Sequence, residues 1–315
     1  MSLPRIVCPV VAAVFTWAAG STAWAQNVVG IGTAQAGATL QFGTAVAKVV
    51  SERSGIQMRT QALSSTNQYA PRVNAGELEF GFSNIIETTF ARRGEGLFEG
   101  RPAPNLRMAF TMFPLPVSFL TSKKSGITSF KQFSTARTPI GWNTQKLGEY
   151  LFRGYFANQN LRYEDVRGVP VTTLPKMWEL FGQGELDLIF SILNGAVTKE
   201  LEVKVGGVHY LPVDDSPAAV ARMQRYLPGA YVLTDKNLST GQMVQNIAYD
   251  FVVFTSTKVS DETVYKVVKA VYEGREDLKS YNSKLLPKLV AKTEVEYHPG
   301  AIKFFKEVGL WPPKG

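Results

Sequence analysis

The chain has 315 residues, 45% of them hydrophobic, with a formal net charge of +8 and one cysteine. That is globular composition, sufficient for one large domain or two smaller lobes. The positive residues are scattered; the densest clusters, Arg92-Arg93 and Lys123-Lys124, are too thin for a nucleic-acid-binding stripe, so nucleic acid is excluded as a partner.

Arg5 is the only charge in the first 25 residues. An apolar run from Ile6 to Ala19 follows, then Ala23-Trp24-Ala25, which together make the three regions of a secretory signal peptide. The run falls short of the roughly 20 apolar residues a bilayer span needs. Cleavage is expected after Ala25, with residues 1–25 removed and Gln26 first. Cys8 precedes most of the apolar run, and Arg5-Ile6-Val7 makes a poor lipobox. The mature chain is therefore expected to lack disulfides, a thiol nucleophile and cysteine metal ligands, and to reside in a bacterial periplasm.

Val28–Ile31 is a buried-strand candidate. Leu40, Gly43, Val46, Ala47 and Val50 recur at helical spacing, and Gly55 ends that helix. Ile56, Met58 and Thr60 alternate as a strand, Asn67–Asn74 is a short helix, and Pro71 must lie near its first turn or kink it. Leu78, Phe80 and Phe82 alternate again. The order βαβαβ predicts a parallel sheet with right-handed crossovers.

A second series starts after Phe113-Pro114-Leu115-Pro116, which reads as a stiff crossover. Strands are expected at Val117–Thr121, Thr138–Gly141, Val166–Val171 and Leu186–Phe190, and helices at Lys146–Ala157 and Leu174–Phe181. The segments AGELEFGFSN (75–84) and QGELDLIFSI (183–192) are alike: helix end, Gly-Glu turn, buried strand, then a small polar residue. Two lobes of related α/β topology account for this repetition. A strong strand at Phe251–Phe254 and helices from Asp261, around Pro287 and after Pro299 close the chain. The expected division is lobe I from 26–114 plus 246–315, and lobe II from 115–245.

Little in the sequence supports catalysis or a metal. His209 and His298 have no partner at ligand spacing. Asp214-Asp215 precedes Ser-Pro and reads as a helix cap. No G-x-S-x-G is present, and Glu294 and Glu296 read as a solvated edge. Gly32 and Gly37 have P-loop spacing, but Ala38 stands where the lysine belongs, and Gln35 breaks a dinucleotide fingerprint. No cofactor is expected.

What remains is three polar loops, each following a predicted strand and opening a helix: Thr33–Ala38, Ser64-Ser65-Thr66-Asn67, and Asn143-Thr144-Gln145-Lys146. Free N–H groups at helix starts bind anions without a lysine, and α/β folds place ligands at the carboxyl ends of parallel strands. Each loop alone is equally a set of helix caps; three together on a two-lobed exported protein favour a ligand cleft.

Several segments resemble the TAXI-type solute-binding proteins of tripartite ATP-independent periplasmic (TRAP) transporters. The opening IGTAQAGATLQFGTAVAKVV (31–50), NAGELEFGFSN (74–84), SKKSGITSFKQF (122–133) and YHPGAIKFFKEVGLW (297–311) carry the resemblance, which spans Val28 to Trp311. It implies an α/β, two-lobed periplasmic binding-protein fold of class II type, with a ligand cleft between lobes joined by hinge strands. It also implies a non-enzymatic, monomeric receptor that captures a small organic anion, such as a dicarboxylate, oxo acid, amino acid or aromatic acid, and hands it to membrane-embedded TRAP permease subunits. A receptor presenting ligand to a membrane kinase, and an enzyme on the same fold, are the alternatives.

The resemblance places the ligand loops at Thr33, Gln35 and Thr39; at Ser64, Ser65, Thr66 and Asn67; at Ser83 and Asn84; and at Trp142, Asn143, Thr144, Gln145 and Lys146. Asn194 and Tyr249 complete the candidate set. The chain departs from the family pattern at Leu40-Gln41-Phe42, at Ala62–Thr66 and in GWNTQKLG (141–148), all ligand loops, so the fold is expected to be shared while the identity of the ligand is left open. Trp142 is expected to cover an apolar or aromatic ligand body, with core packing as the alternative, and Tyr249 either lines the hinge side or is ordinary core. Lys146, or else Arg72, is the expected partner of a carboxylate.

Overall fold

The computed structural model describes residues 28–35, 37–143, 145–280 and 287–313. The expected signal peptide, its cleavage after Ala25, Cys8 and the candidate Thr144 lie outside the described residues.

The first lobe begins with β1 (Val28–Ala34), α1 (Gly37–Arg53), β2 (Gln57–Leu63), α2 (Thr66–Ala75), β3 (Phe80–Asn84) and α3 (Ile85–Arg93). β1 pairs in parallel with β2 on one side and β3 on the other, as the βαβαβ order predicts. α1 buries Phe42, Val46, Val49 and Val50 against this sheet. Pro71 lies inside α2, on its exposed side, where the missing N–H removes one helical bond without burying an unpaired carbonyl.

Two long strands then carry the chain across the molecule. β4 (Leu106–Ser122) runs straight through Pro114 and Pro116, so the expected crossover is itself strand. The second lobe follows with β5 (Arg137–Ile140), α4 (Leu147–Asn158), β6 (Arg167–Pro170), α5 (Leu174–Gly182), β7 (Leu188–Ile192), α6 (Ala196–Lys204), β8 (Val208–Leu211), α7 (Pro217–Gln224) and β9 (Tyr231–Lys236). β10 (Met243–Ser256) returns to the first lobe, followed by α8 (Asp261–Glu273) and α9 (Pro299–Glu307). The helix expected around Pro287 falls partly outside the described residues; from 287 to 298 the described chain is non-helical and makes bridges to β4 at Leu289–Thr111 and Tyr297–Met108.

β4 and β10 are antiparallel, paired from Ile247–Val117 to Ser256–Leu106, with register shifts at Asp250/Val252 and Val253/Phe254. One end of β10 takes β3 and the other takes β9. The far end of β4 takes β7 and β8. The main sheet is therefore mixed, ordered β2-β1-β3-β10-β4-β7, and β5 and β6 form a separate parallel pair.

The repeated wording has a structural counterpart. Gly76 (φ 76°) and Gly184 (φ 77°) both take left-handed backbone after a helix. The next residue bonds back into that helix each time, Glu77 N–H to Arg72 O (2.9 Å) and Glu185 N–H to Leu180 O (2.9 Å). The buried strands that follow, β3 and β7, each lie antiparallel to a crossing strand.

Trp142 is wholly buried in the second lobe, with ring centroids 6.1 Å from Phe152 and 5.9 Å from Phe190. Its indole occupies the space above Gly148, where an added Cβ would come within 2.5 Å of the ring. The lobes touch where Phe90 of α3 meets Tyr150 of α4, centroids 4.9 Å apart.

His298 and Asp214 are structural. His298 caps α9 through Nδ1, which accepts from Gly300 N–H (3.2 Å), and its other ring nitrogen donates to Val259 O (3.1 Å). Burial pushes its pKa down, which keeps this neutral form. At α7 the cap is Ser216 rather than an aspartate; Asp214 accepts the Ser216 N–H at 2.8 Å and orients the turn.

The junction between β3 and β10 is closely packed, because a Cβ at Gly81 would run into the Phe254 ring. Gly81→Ala is expected to cost about 1–3 kcal/mol of unfolding free energy by overpacking, with Phe254→Leu in the same chain recovering part of it. Urea denaturation of the two variants measures both effects; no loss in Gly81→Ala refutes the close packing.

Candidate functional site

Parallel strands in each lobe end where the next helix begins, and these starts converge. A cavity of about 400 Å³ lies between the lobes. Thr39 of α1, Thr66 and Asn67 of α2, Glu87 of α3, Leu147 of α4 and Leu174 of α5 all line it, each within the first three residues of its helix. Five helix starts at one wall give a positive end-on field and a set of first-turn N–H groups.

The caps separate these helices. Asn84 caps α3 by accepting from Glu87 N–H (2.9 Å), and Thr173 caps α5 by accepting from Lys176 N–H (3.3 Å). Ser65, in the cap position of α2, makes no such bond; its hydroxyl donates to Asn67 Oδ1 instead. Lys146, in the cap position of α4, makes none either. Capping alone therefore does not account for these two polar loops.

Nine of the expected residues line the cavity. Thr39, Ser64, Ser65, Thr66 and Asn67 come from the first lobe, Asn143, Gln145 and Lys146 from the second, and Tyr249 from the crossing strand β10. Gln145 Oε1 accepts the Leu174 N–H (2.6 Å) and so ties the start of α5 to the loop before α4. Tyr249 is 4% exposed, and no described residue hydrogen-bonds its hydroxyl.

The others stand elsewhere. Thr33 is buried, with its methyl in the space over Gly43. Gln35 is exposed at the end of β1 and does not line the cavity. Trp142 lies in the core behind Phe190 and Gly148, which themselves form the wall, so it covers no cavity space. Asn194 bonds Lys236 O (3.0 Å) and Leu238 N–H (2.8 Å), bracing the end of β9. Arg72 pairs with Glu77 (3.7 Å) and is not part of the wall. Ser83 and Asn84 sit one layer back, and both bond Glu87.

Sequence reasoning missed Glu87 and Arg101. Glu87 Oε2 accepts from Asn84 Nδ2 (2.7 Å), Thr66 Oγ1 (3.0 Å) and Ser83 Oγ (3.1 Å). Burial pushes its carboxyl above the usual range, and these three bonds oppose the shift. The spacing Asn84-x-x-Glu87 is that of a capping box, which is the sequence signal that marks it. Arg101 comes from the irregular segment between α3 and β4, where no pattern marks a single cation. It donates to Leu97 O (3.3 Å), and neither it nor Lys146 forms an ion pair with a described residue. Positive charge thus reaches the cavity from both lobes, not from Lys146 alone.

Among the described residues no group of histidine, cysteine, aspartate or glutamate has the arrangement to hold a metal ion, and no helix is long and apolar enough to cross a membrane.

Known structures share this architecture. MatC from Rhodopseudomonas palustris, solved with bound malate, is 14% identical and superposes with a TM-score of 0.55 over 83% of this chain and 90% of its own. An R. palustris protein solved with adipate is 15% identical, with a TM-score of 0.53 over 91% of this chain and 96% of its own. The alkanesulfonate-binding protein SsuA from Xanthomonas axonopodis pv. citri, bound to MOPS, is 15% identical, with a TM-score of 0.50 over 91% and 81%. At such identities the likeness establishes the fold, an α/β arrangement of two lobes on a mixed sheet. The sequence itself carries a family signature across nearly all of the described chain: residues 31–309 match the NMT1-like family, and the chain belongs to it.

Proposed function

We propose that this protein is a periplasmic solute-binding receptor that holds a small organic anion between its lobes and delivers it to a TRAP-type permease. The observation that carries the proposal is the interlobe cavity, where α2 and α4 start without side-chain caps and Arg101 and Lys146 supply full positive charge. An anion there gains from the helix ends and from charge-assisted hydrogen bonds. The volume of about 400 Å³ suits a ligand of a few to a dozen heavy atoms. Further support comes from the structural neighbours solved with malate, adipate and a sulfonate.

The assignment to TAXI-type TRAP delivery rests on the segment resemblances, above all YHPGAIKFFKEVGLW (297–311). Periplasmic location rests on the charge, apolar run and Ala-Trp-Ala pattern of the first 25 residues. We take the lobes to be 26–114 with 246–315, and 115–245, and the working unit to be a monomer.

Purified protein is expected to show a rise in melting temperature with at least one carboxylate, because a ligand that binds only the folded state stabilises it by mass action. Differential scanning fluorimetry against organic and amino acids checks this, and folded protein giving no shift anywhere rejects the proposal. Lys146→Ala and Arg101→Ala are each expected to weaken the carboxylate so found by about 1–3 kcal/mol, with little change in unfolding midpoint. Titration calorimetry of both variants decides which cation touches the ligand; unchanged affinity in both removes them from the site.

A further inference from the structure

Glu87 is anomalous on the wall of an anion site. An ionised carboxylate there would repel the charge that the five helix starts and two cations attract. Its surroundings show how it escapes that conflict. Oε2 is filled by three partners, Asn84 Nδ2, Thr66 Oγ1 and Ser83 Oγ. The Asn84 amide is held the right way round, because its Oδ1 accepts the Glu87 N–H. The remaining oxygen, Oε1, has no hydrogen bond from any described residue, although Glu87 lines the cavity. The hydroxyl of Tyr249, a residue 4% exposed on the same wall, is also without a described partner.

We infer that Glu87 binds as a carboxylic acid, offering its Oε1 proton together with the Tyr249 hydroxyl to an anionic group of the ligand, so that capture of the anion is linked to a proton. The inference rests on the receptor proposed above and specifies the chemistry of its site. When Glu87 starts ionised, one proton comes from solvent and ends on Oε1, shared with a ligand oxygen. No covalent bond changes.

The groups around Glu87 are consistent with this. From α2, the Tyr69 hydroxyl is committed to Phe82 O (2.7 Å), so it cannot discharge the carboxylate. From β10, Tyr249 is held in its neutral form by burial, so its hydroxyl stays a donor when Glu87 carries its proton. Arg101 and Lys146, from the segment before β4 and the start of α4, line the same cavity without pairing with Glu87. They favour the ionised form, but burial, the largest influence on Glu87, acts the other way.

The sign of the pH dependence follows from linkage. Binding of a carboxylate is expected to be independent of pH below the Glu87 titration and to weaken about tenfold per pH unit above it. Two measurements on the full-length protein test this. Carboxyl-labelled glutamate NMR across about pH 4 to 9 follows Glu87, identified by the signal missing in Glu87→Gln. Calorimetry with malate and adipate, with glutamate as an amine-bearing comparator, follows affinity and proton uptake in buffers of different ionisation heat.

A Glu87 signal titrating above the ordinary carboxylate range supports the inference when a carboxylate probe also weakens with pH in the native chain and stays flat in Glu87→Gln. Titration in the ordinary range overturns it whether or not any probe binds. So does a carboxylate probe whose affinity in the native chain stays flat through and above the Glu87 titration, which leaves the receptor proposal intact. An amine-bearing probe that tightens as pH rises overturns it as well, by assigning Oε1 to an ammonium. If no probe binds at any pH, the receptor proposal fails and the inference fails with it.

Discussion

The structure depends on the antiparallel pairing of β4 and β10. These two strands, of 17 and 14 residues, belong to both lobes at once, and every other strand of the main sheet is added to one end or the other. A connection made of backbone hydrogen bonds resists sliding and separation but still twists, and its weak points are visible. Pro114 stands opposite Asp250 and Pro116 opposite Ala248, removing two ladder donors, and the register shifts at Asp250/Val252. A three-way contact holds this place: Lys288 Nζ lies 2.9 Å from Asp250 Oδ1, and the Tyr231 hydroxyl donates to the same oxygen at 2.8 Å. Asp250 is 7% exposed, so its charge is tolerable only with those partners in place.

The chemistry of the cavity follows from this arrangement. Because β1 to β3 run parallel and turn directly into helices, their carboxyl ends deliver helix starts to one edge of the first lobe. The second lobe repeats the device with α4 and α5, and the crossing strands bring the two edges face to face. The starts of α2 and α4, on opposite sides of the cavity, carry no side-chain cap. A cavity built this way needs few charged side chains to carry a positive field. From the glycine-rich turn after β1 only the flanking Ala34 and Thr39 line the cavity, and its full positive charges come from Arg101 in one lobe and Lys146 in the other.

The residues at the departures from the TAXI pattern separate into two kinds. Ser64, Ser65, Asn143, Gln145 and Lys146 reach the cavity and set its polarity. Trp142 instead goes inward, with positive φ (23°) at the turn and its indole over Gly148. It packs behind Gly148 and Phe190, two residues of the cavity wall.

The sequence alone determined the elements of the first lobe and the first half of the second, because burial on one face leaves periodicity that a single chain reveals, whereas α6, β8 and β9 were not marked. Alternation in 78–82, helical spacing in 40–50 and the twin Gly-Glu turns after α2 and α5 needed no partner to be legible. The loops Ser64–Asn67 and Asn143–Lys146 were legible for the same reason, as polar strand-to-helix junctions. Only the tertiary structure decided what those loops face. Arg101 lies in an irregular segment, Phe190 looks like any buried strand residue, and Glu87 resembles a capping glutamate until β10 sets Tyr249 beside it. Such assignments depend on contacts between residues far apart in the chain, which local pattern does not encode. Whether an aromatic side chain such as Trp142 turns inward or toward the cleft depends on the space left by its neighbours, and here Gly148 supplied that space on the inside.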